Sequence, residues 1–390
     1  MEKGQKVTRI LLQILSYLLV ASVALTVGVK LSRRVPTGDY AKLQELEMIV
    51  DQYYIGEINE TDMMDGAAAG MISGLGDRWS YYIPASQYDA HVEQMENAYI
   101  GIGVTISVEN IEKGLEVLQV EPNGGARAAG ILPGDYLLEV DGQSVIENGV
   151  DKSRELIRGK EGTTVEITVS RDGQQLTFQV ERKLIQVVVA KGEMLEGNIG
   201  LVTIANFDER CADETIAAIE ALLEQGAQSL IFDVRNNPGG YKDELVKVLD
   251  YLLPEGVLFR SIDHNGNEEL DKSDKDCLEM PMAVLVNENS YSAAEFFAAA
   301  LEEYGWAVSV GSHTVGKSYF QTTFQLRDGS AVGLSIGKYC TPNGVSLAEV
   351  GGLEPTVLVD VDAETAANFY GDLLEAKDDP QIQAAVAALQ

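Results

Sequence analysis

The sequence predicts an α+β chain of several domains, and three observations carry that expectation. A long apolar run lies near the N-terminus. Short alternating strands with glycine turns fill the stretch from about residue 99 to 180, and beyond residue 183 apolar strands alternate with helices. At 390 residues the chain has room for two or three domains, and 45% hydrophobic with 23% charged residues describes a globular protein with a buried core. The net charge of −32 is uneven, because residues 1–34 hold six basic residues against Glu2 alone. So acidic a body repels phosphate, which excludes nucleic acid as a partner. Cys211, Cys277 and Cys340 are far apart and lack C-x-x-C spacing, which argues against a disulfide framework or a zinc site.

Taken in order, Ile10 to Val29 is long enough to cross a bilayer as a helix. Lys3, Lys6 and Arg9 precede it and Lys30, Arg33 and Arg34 follow, so charge orients it weakly. The expectation is an uncleaved anchor, since the apolar run continues past Ala24; a signal peptide cleaved near Ser22–Ala24 is the alternative. Either way the body is exported. Helical spacing follows over Tyr40–Tyr54, through Leu43, Leu46, Ile49, Val50 and Tyr53, then over Asp62–Ile72 and Pro84–Glu96. This segment is expected to be structural, with aromatics in a core and no chemistry of its own.

From Tyr99 strands alternate: Gly101–Ile106, Leu115–Val120, Tyr136–Val140, and a hairpin of Thr164–Val169 with Gln175–Val180 across Arg171-Asp-Gly173. Short helices are expected over Asn123–Gly130 and Asp151–Arg158. The G-I-G-V start, the A-R-A-A-G-I-L-P-G-D run and the I-R-G-K-E-G-T stretch, in this order, resemble a PDZ domain of the circularly permuted bacterial kind. That resemblance implies that Gly101, Ile102, Gly103 and Val104 receive a peptide's C-terminal carboxylate and that the next strand pairs with it. On their own, Gly101 and Gly103 would equally serve a bulge.

After Lys183 come strand Ile199–Ile204, helix Asp213–Gln225 and the all-apolar strand Ser229–Val234, as expected when both sheet faces are covered. Three loops of this part could meet at one sheet edge: Arg235–Gly240, Asn287–Ser292 and Gly316–Gln321. The second lies between strand Met282–Val286 and an alanine-rich helix, where backbone N–H groups point outward and can stabilise negative charge. A serine there suits nucleophilic attack if a base is in reach, and Lys317 is the candidate base. An ordinary lysine titrates near about 10.4, so this role requires burial and no nearby carboxylate, worth about 4 kcal/mol. Val315, Tyr319 and Phe320 flank Lys317, and the acids nearest in sequence, Glu303 and Asp328, are distant.

The motifs F-D-V-R-N-N-P-G-G (232–240), N-E-N-S-Y-S-A-A-E (287–295), T-V-G-K-S-Y-F-Q (314–321), Y-C-T-P-N-G (339–344) and the early G-L-G-D-R-W-S-Y-Y (74–82) closely resemble the C-terminal processing proteases, serine peptidases with a Ser-Lys dyad. The resemblance implies Ser292 as nucleophile, Lys317 as base and Gln321 as the residue orienting the lysine. It also implies an oxyanion hole from the N–H groups of Gly240 and Ala293. Where the family more often has S-A-S-A-S this chain reads S-Y-S-A-A, which makes Ser290 a rival nucleophile. Ser318 follows the lysine in place of glycine, and Glu-Pro-Thr356 stands where Pro-Asp is usual.

The expected organisation is a membrane-anchor helix and linker (1–36), a helical segment (37–96), a PDZ domain (97–183), an α/β protease core (184–361) and a helical tail (362–390). The function expected is a single-pass, extracytoplasmic serine endopeptidase of the cell membrane that binds protein C-termini, secreted if the N-terminal segment is cleaved. Protein or peptide substrates are its partners, a homo-oligomer stays open, and no metal or other cofactor is implied. Arg158, after the PDZ helix, is a candidate for contact between domains. Two other readings are a non-catalytic peptide-binding scaffold and an esterase using Gly333-Leu-Ser-Ile-Gly337, which lacks a histidine after its serine.

Overall fold

The computed structural model describes residues 38, 40–108, 111–362, 365, 369 and 374–390, the side chain of Gln94 apart. The run 10–29 expected to anchor the chain lies outside them, and among the described residues no helix is long and apolar enough to cross a membrane. The chain divides into two units, residues 1–70 and 71–390. In the first, Ala41–Tyr53 is helical as its spacing predicts, though none of its residues is buried. The helix Glu60–Ser73 opens with Glu60 and Asp62, which complement the positive end of its dipole, and continues into the second unit.

Within the larger unit the core is a six-stranded sheet. Its order is Ala190–Leu195, Ile199–Ile204, Ser229–Asp233, Met282–Val286, Ala307–Gly311, Val357–Leu358, parallel throughout except for the first strand. The central strands are apolar on both faces for a visible reason. Leu230, Phe232, Val284 and Val286 pack with Leu249, Phe296 and Phe297 of the helices on one side. Ile231, Ala283 and Leu285 pack with Ile382 and Ala385 of the helix Pro380–Ala388 on the other. The tail is not continuously helical, because residues 374–379 are turn and coil and Asp379 starts the last helix, accepting hydrogen bonds from the Gln381 and Ile382 N–H groups.

A second sheet is built around the strand Ala331–Cys340. One edge of this strand pairs with Tyr319–Gln325, and the other pairs with Tyr81–Ile83 and Gly256–Asp263. Residues 98–186 form a separate layer whose two end strands, Ala98–Gly101 and Lys183–Gln186, pair antiparallel, so the chain enters and leaves it side by side. Its sheet runs Val104–Ser107, Leu115–Val120, Tyr136–Val140, Thr164–Arg171, Gln174–Glu181 and encloses Ile102, Leu115, Leu137, Ile167 and Val180. The helix Val145–Ile157 starts earlier than the sequence predicts and is kinked at Gly149. Buried Arg182 donates to the carbonyls of Leu156 and Ile157, satisfying the helix end where a cation is favoured.

Candidate active site

The turn after Met282–Val286 is fixed from several sides before any chemistry is considered. The Asn287 side chain accepts from the Asn236 N–H (2.9 Å) and donates to the Asn236 side chain (2.8 Å), and the Tyr291 N–H donates to the Asn237 carbonyl (3.1 Å). Ser290 is wholly buried; its hydroxyl donates to the Val234 carbonyl (2.7 Å) and accepts from the Asn287 N–H (3.0 Å). Both of its hydrogen-bonding directions are therefore used structurally. Ser292, two residues on, has φ 57° and ψ −126° at the start of the helix Ala293–Glu303. A non-glycine residue pays roughly 1–3 kcal/mol for such a conformation, which recurs where a nucleophile is held on a sharp strand-to-helix turn.

Glu295 holds that turn. It is fully buried and its carboxylate accepts four hydrogen bonds: from the N–H groups of Ser292 (3.0 Å), Gly316 (2.7 Å) and Lys317 (2.9 Å), and from the Thr314 hydroxyl. One side chain thus ties the serine turn to the lysine loop. Burial pushes its pKa up, while the four donors act in the opposite sense.

The glycine loop closes on the same turn. A Cβ on Gly239 would stand 2.7 Å from the Ser292 Cβ and 2.9 Å from the Ala293 nitrogen. At Gly240 a Cβ would meet the Phe207 carbonyl carbon at 2.3 Å. The Phe207 N–H donates to the Gly239 carbonyl (2.8 Å) and the Tyr241 N–H to the Phe207 carbonyl (2.7 Å), and the Gly240 N–H between them has no partner among the described residues. Ala293, at the first position of its helix, likewise has an N–H beyond the helical ladder. Upstream, buried Arg235 pairs with Asp233 (2.6 Å) and Asp379 (2.7 Å), which binds the loop to the C-terminal helix.

Lys317 lines the same groove as Ser292, Gly239, Gly240 and Gln321, a cleft of about 620 Å³, within the range of ligand-binding clefts. Its Nζ lies 4.8 Å from the Trp79 ring centre and 5.7 Å from that of Tyr291, and the two rings stack 6.1 Å apart. Burial moves the Lys317 pKa below its ordinary value; Asp77 and Glu295 act the other way. No ion pair of Lys317 occurs among the described residues.

Two expectations change here. Carboxylates are near Lys317 in space although not in sequence, and their pull is outweighed by desolvation. The segment before residue 97 is also not chemically silent. Tyr81–Ile83 pairs with Ala331–Gly333, and this brings Trp79 to Lys317 and one face of the helix Ala85–Met95 (Tyr88, His91, Val92, Met95) into the groove. Gln321 lines the groove too, but its amide donates to its cross-strand partner Ser335 (3.0 Å) and to the Tyr319 carbonyl (3.1 Å), with no hydrogen bond to Lys317. Sequence reasoning overlooks Glu295 and Trp79. Ser292-Ala-Ala-Glu295 has the S-x-x-E form of a capping box, which was the available signal for the first.

In the separate layer, Gly101 ends one strand, Ile102 is buried, Gly103 has φ 75°, and Val104 opens an edge strand. The Gly103 Cα is pressed against Gly124, where a Cβ would approach to 3.0 Å, so a close backbone contact requires glycine here. Arg158 pairs with Glu93 at 3.0 Å and lies over the Tyr99 ring, linking this layer to the helix Ala85–Met95.

Two family models match the chain: peptidase family S41 over residues 198–359 and the PDZ domain over residues 99–181. The chain is 34% identical over 315 residues to the carboxy-terminal processing protease CtpA of Bacillus subtilis (strain 168), covering 79% of this chain and 67% of that protein. It is 31% identical over 333 residues to a protein of Staphylococcus haemolyticus (strain JCSC1435) described as CtpA-like, covering 83% of this chain and 66% of that one. A solved structure from Bacteroides fragilis NCTC 9343, described under the same S41 heading, matches with a TM-score of 0.51 at 17% identity, over 74% of this chain and 82% of that one, which bears on the fold alone.

Proposed function

The chain belongs to peptidase family S41, as a C-terminal processing serine protease with a PDZ domain, and from that premise we propose that Ser292 and Lys317 form its catalytic dyad. The observation that carries the proposal is their meeting in one groove: a serine on a strained turn, and an amine whose burial favours its neutral form. Neutral Lys317 takes the proton of the Ser292 hydroxyl as Oγ bonds to the scissile carbonyl carbon. The oxyanion is met by the N–H groups of Gly240 and Ala293. Protonated Lys317 then gives its proton to the leaving amine as the C–N bond breaks, and the neutral lysine activates a water that releases the acyl group. Gln321 orients Lys317 after its amide leaves Ser335.

In this reading Gly101–Val104 and the open edge of Val104–Ser107 receive the C-terminal tail of a peptide or protein substrate. Residues 10–29 anchor the protein in the cell membrane, with the catalytic part extracytoplasmic. The test is digestion of unfolded β-casein by the purified protein beside Ser292→Ala and Lys317→Ala. Both variants should lose at least about 10³-fold in rate. Digestion that survives either change removes the dyad, and loss of activity on Ser335→Ala with none on Ser292→Ala would indicate an esterase-like site instead.

A further inference from the structure

One wall of the groove carries charge that the dyad does not use. Glu96, Asp208 and Glu209 all line it. The Tyr241 hydroxyl registers their closeness: burial first, then the charges of Asp208, Glu209 and Glu96, push its pKa up. Nearby cations are already engaged. Lys242 pairs with Asp271 (3.1 Å), and Arg210 pairs with Glu214 (3.1 Å) while donating to the Val187 carbonyl. None of the three wall carboxylates is in an ion pair among the described residues.

Asp208 is the unusual member. It is 7% exposed, and the hydrogen bond to its carboxylate is a long one, 3.3 Å from the Asn97 amide to Oδ2. Oδ1 has no partner among the described residues. Burial pushes this carboxyl up to about 7, against the pull of Asn97. A buried carboxylate without a cation is costly to keep, and the cost falls when a ligand brings the missing charge. Its position suits that role, since a Cβ on Gly240 would lie 2.7 Å from the Asp208 nitrogen, which sets Asp208 beside the oxyanion glycine. The helix face of Tyr88, Val92 and Met95 in the same groove offers an apolar bed for a long aliphatic stem.

We propose that Asp208, supported by Glu96 and Glu209, is a specificity-determining residue that binds the side chain of a lysine or arginine flanking the scissile bond of the substrate. This rests on Ser292 acting as a peptidase nucleophile in the same groove. The test uses quenched fluorescent peptides with one common tail, in which each position flanking the cleaved bond carries Lys, Gln or Glu in turn, and reads kcat/KM with the full chain. At one position Lys should exceed Gln by about tenfold or more, as a charge-assisted contact in a desolvated site allows, and Glu should be poorest. Asp208→Asn should bring the Lys-to-Gln ratio close to one, and Glu96→Gln with Glu209→Gln should lower it less and in a salt-dependent way. Equal rates for Lys and Gln at every position in the wild-type protein overturn the inference without need of a variant, and so does a preference that persists in Asp208→Asn. Cleavage that continues in Ser292→Ala overturns instead the peptidase reading beneath it.

Discussion

The two walls of the groove that holds Ser292 and Lys317 are built differently. On the side of the parallel sheet, the serine turn and the glycine loop are locked to each other through Asn236, Asn237, Asn287 and Ser290, and Glu295 joins them to the lysine loop. On the side of the second sheet, the strand Tyr319–Gln325 is largely exposed, and the one amide expected to touch Lys317 is held by Ser335. The comparison teaches that the proposed nucleophile and oxyanion donors are held in place by buried hydrogen bonds, whereas the group proposed to orient the base sits on an exposed strand. Preorganised donors cost no rearrangement at the moment of reaction, which is where such sites gain most of their rate.

Disturbing the locked wall should therefore have the larger effect. Gly239→Ala places a methyl group against Ser292 and Ala293 at a residue with φ 89°; kcat on casein should fall by about 10²-fold or more, and a rate near wild type would show that the glycine loop is not part of the oxyanion site. Glu295→Gln leaves a buried amide facing N–H donors, so chemical denaturation should show a loss of about 1–3 kcal/mol. Its kcat should fall by roughly tenfold with KM little changed, because the variant misplaces two loops without touching the substrate. A KM effect alone would assign Glu295 to binding. Gln321→Ala, on the adjustable wall, should cost the least, about a fewfold in kcat; a loss as large as that of Ser292→Ala would contradict the division drawn between the walls.

The same contrast explains what the sequence made legible. The parallel core declares itself because strands such as Ser229–Asp233 and Met282–Val286 are buried on both faces, which leaves an uninterrupted apolar run. Strands Ala190–Leu195 and Glu268–Ser273 escape notice because only one residue of each is buried, so Glu268-Glu-Leu-Asp-Lys-Ser carries no apolar alternation. Ser292, Lys317 and the glycine loop stand in local motifs and could be proposed from them. Trp79 stands in the motif at 74–82, but its contact with Lys317, like the place of Asp208 in the groove, could not be read locally, since it depends on long-range strand pairing or a loop bridge, Tyr81–Ile83 to Ala331–Gly333 for one and Phe207 to Gly240 for the other. The surroundings of Lys317 are hidden from the sequence for the same reason: Asp77 and Glu295 lie far from it along the chain and close enough in the fold to act on its charge.

The central claim is that burial makes the amine of Lys317 a usable base, so activity should rise as pH climbs through its lowered pKa. The most direct measurement is an NMR titration of the Lys317 ammonium in lysine-labelled Ser292→Ala protein, with Lys317→Met identifying the signal. The account predicts a midpoint clearly below that of a free lysine, about 10.4. A Lys317 signal titrating with the exposed lysines would contradict it.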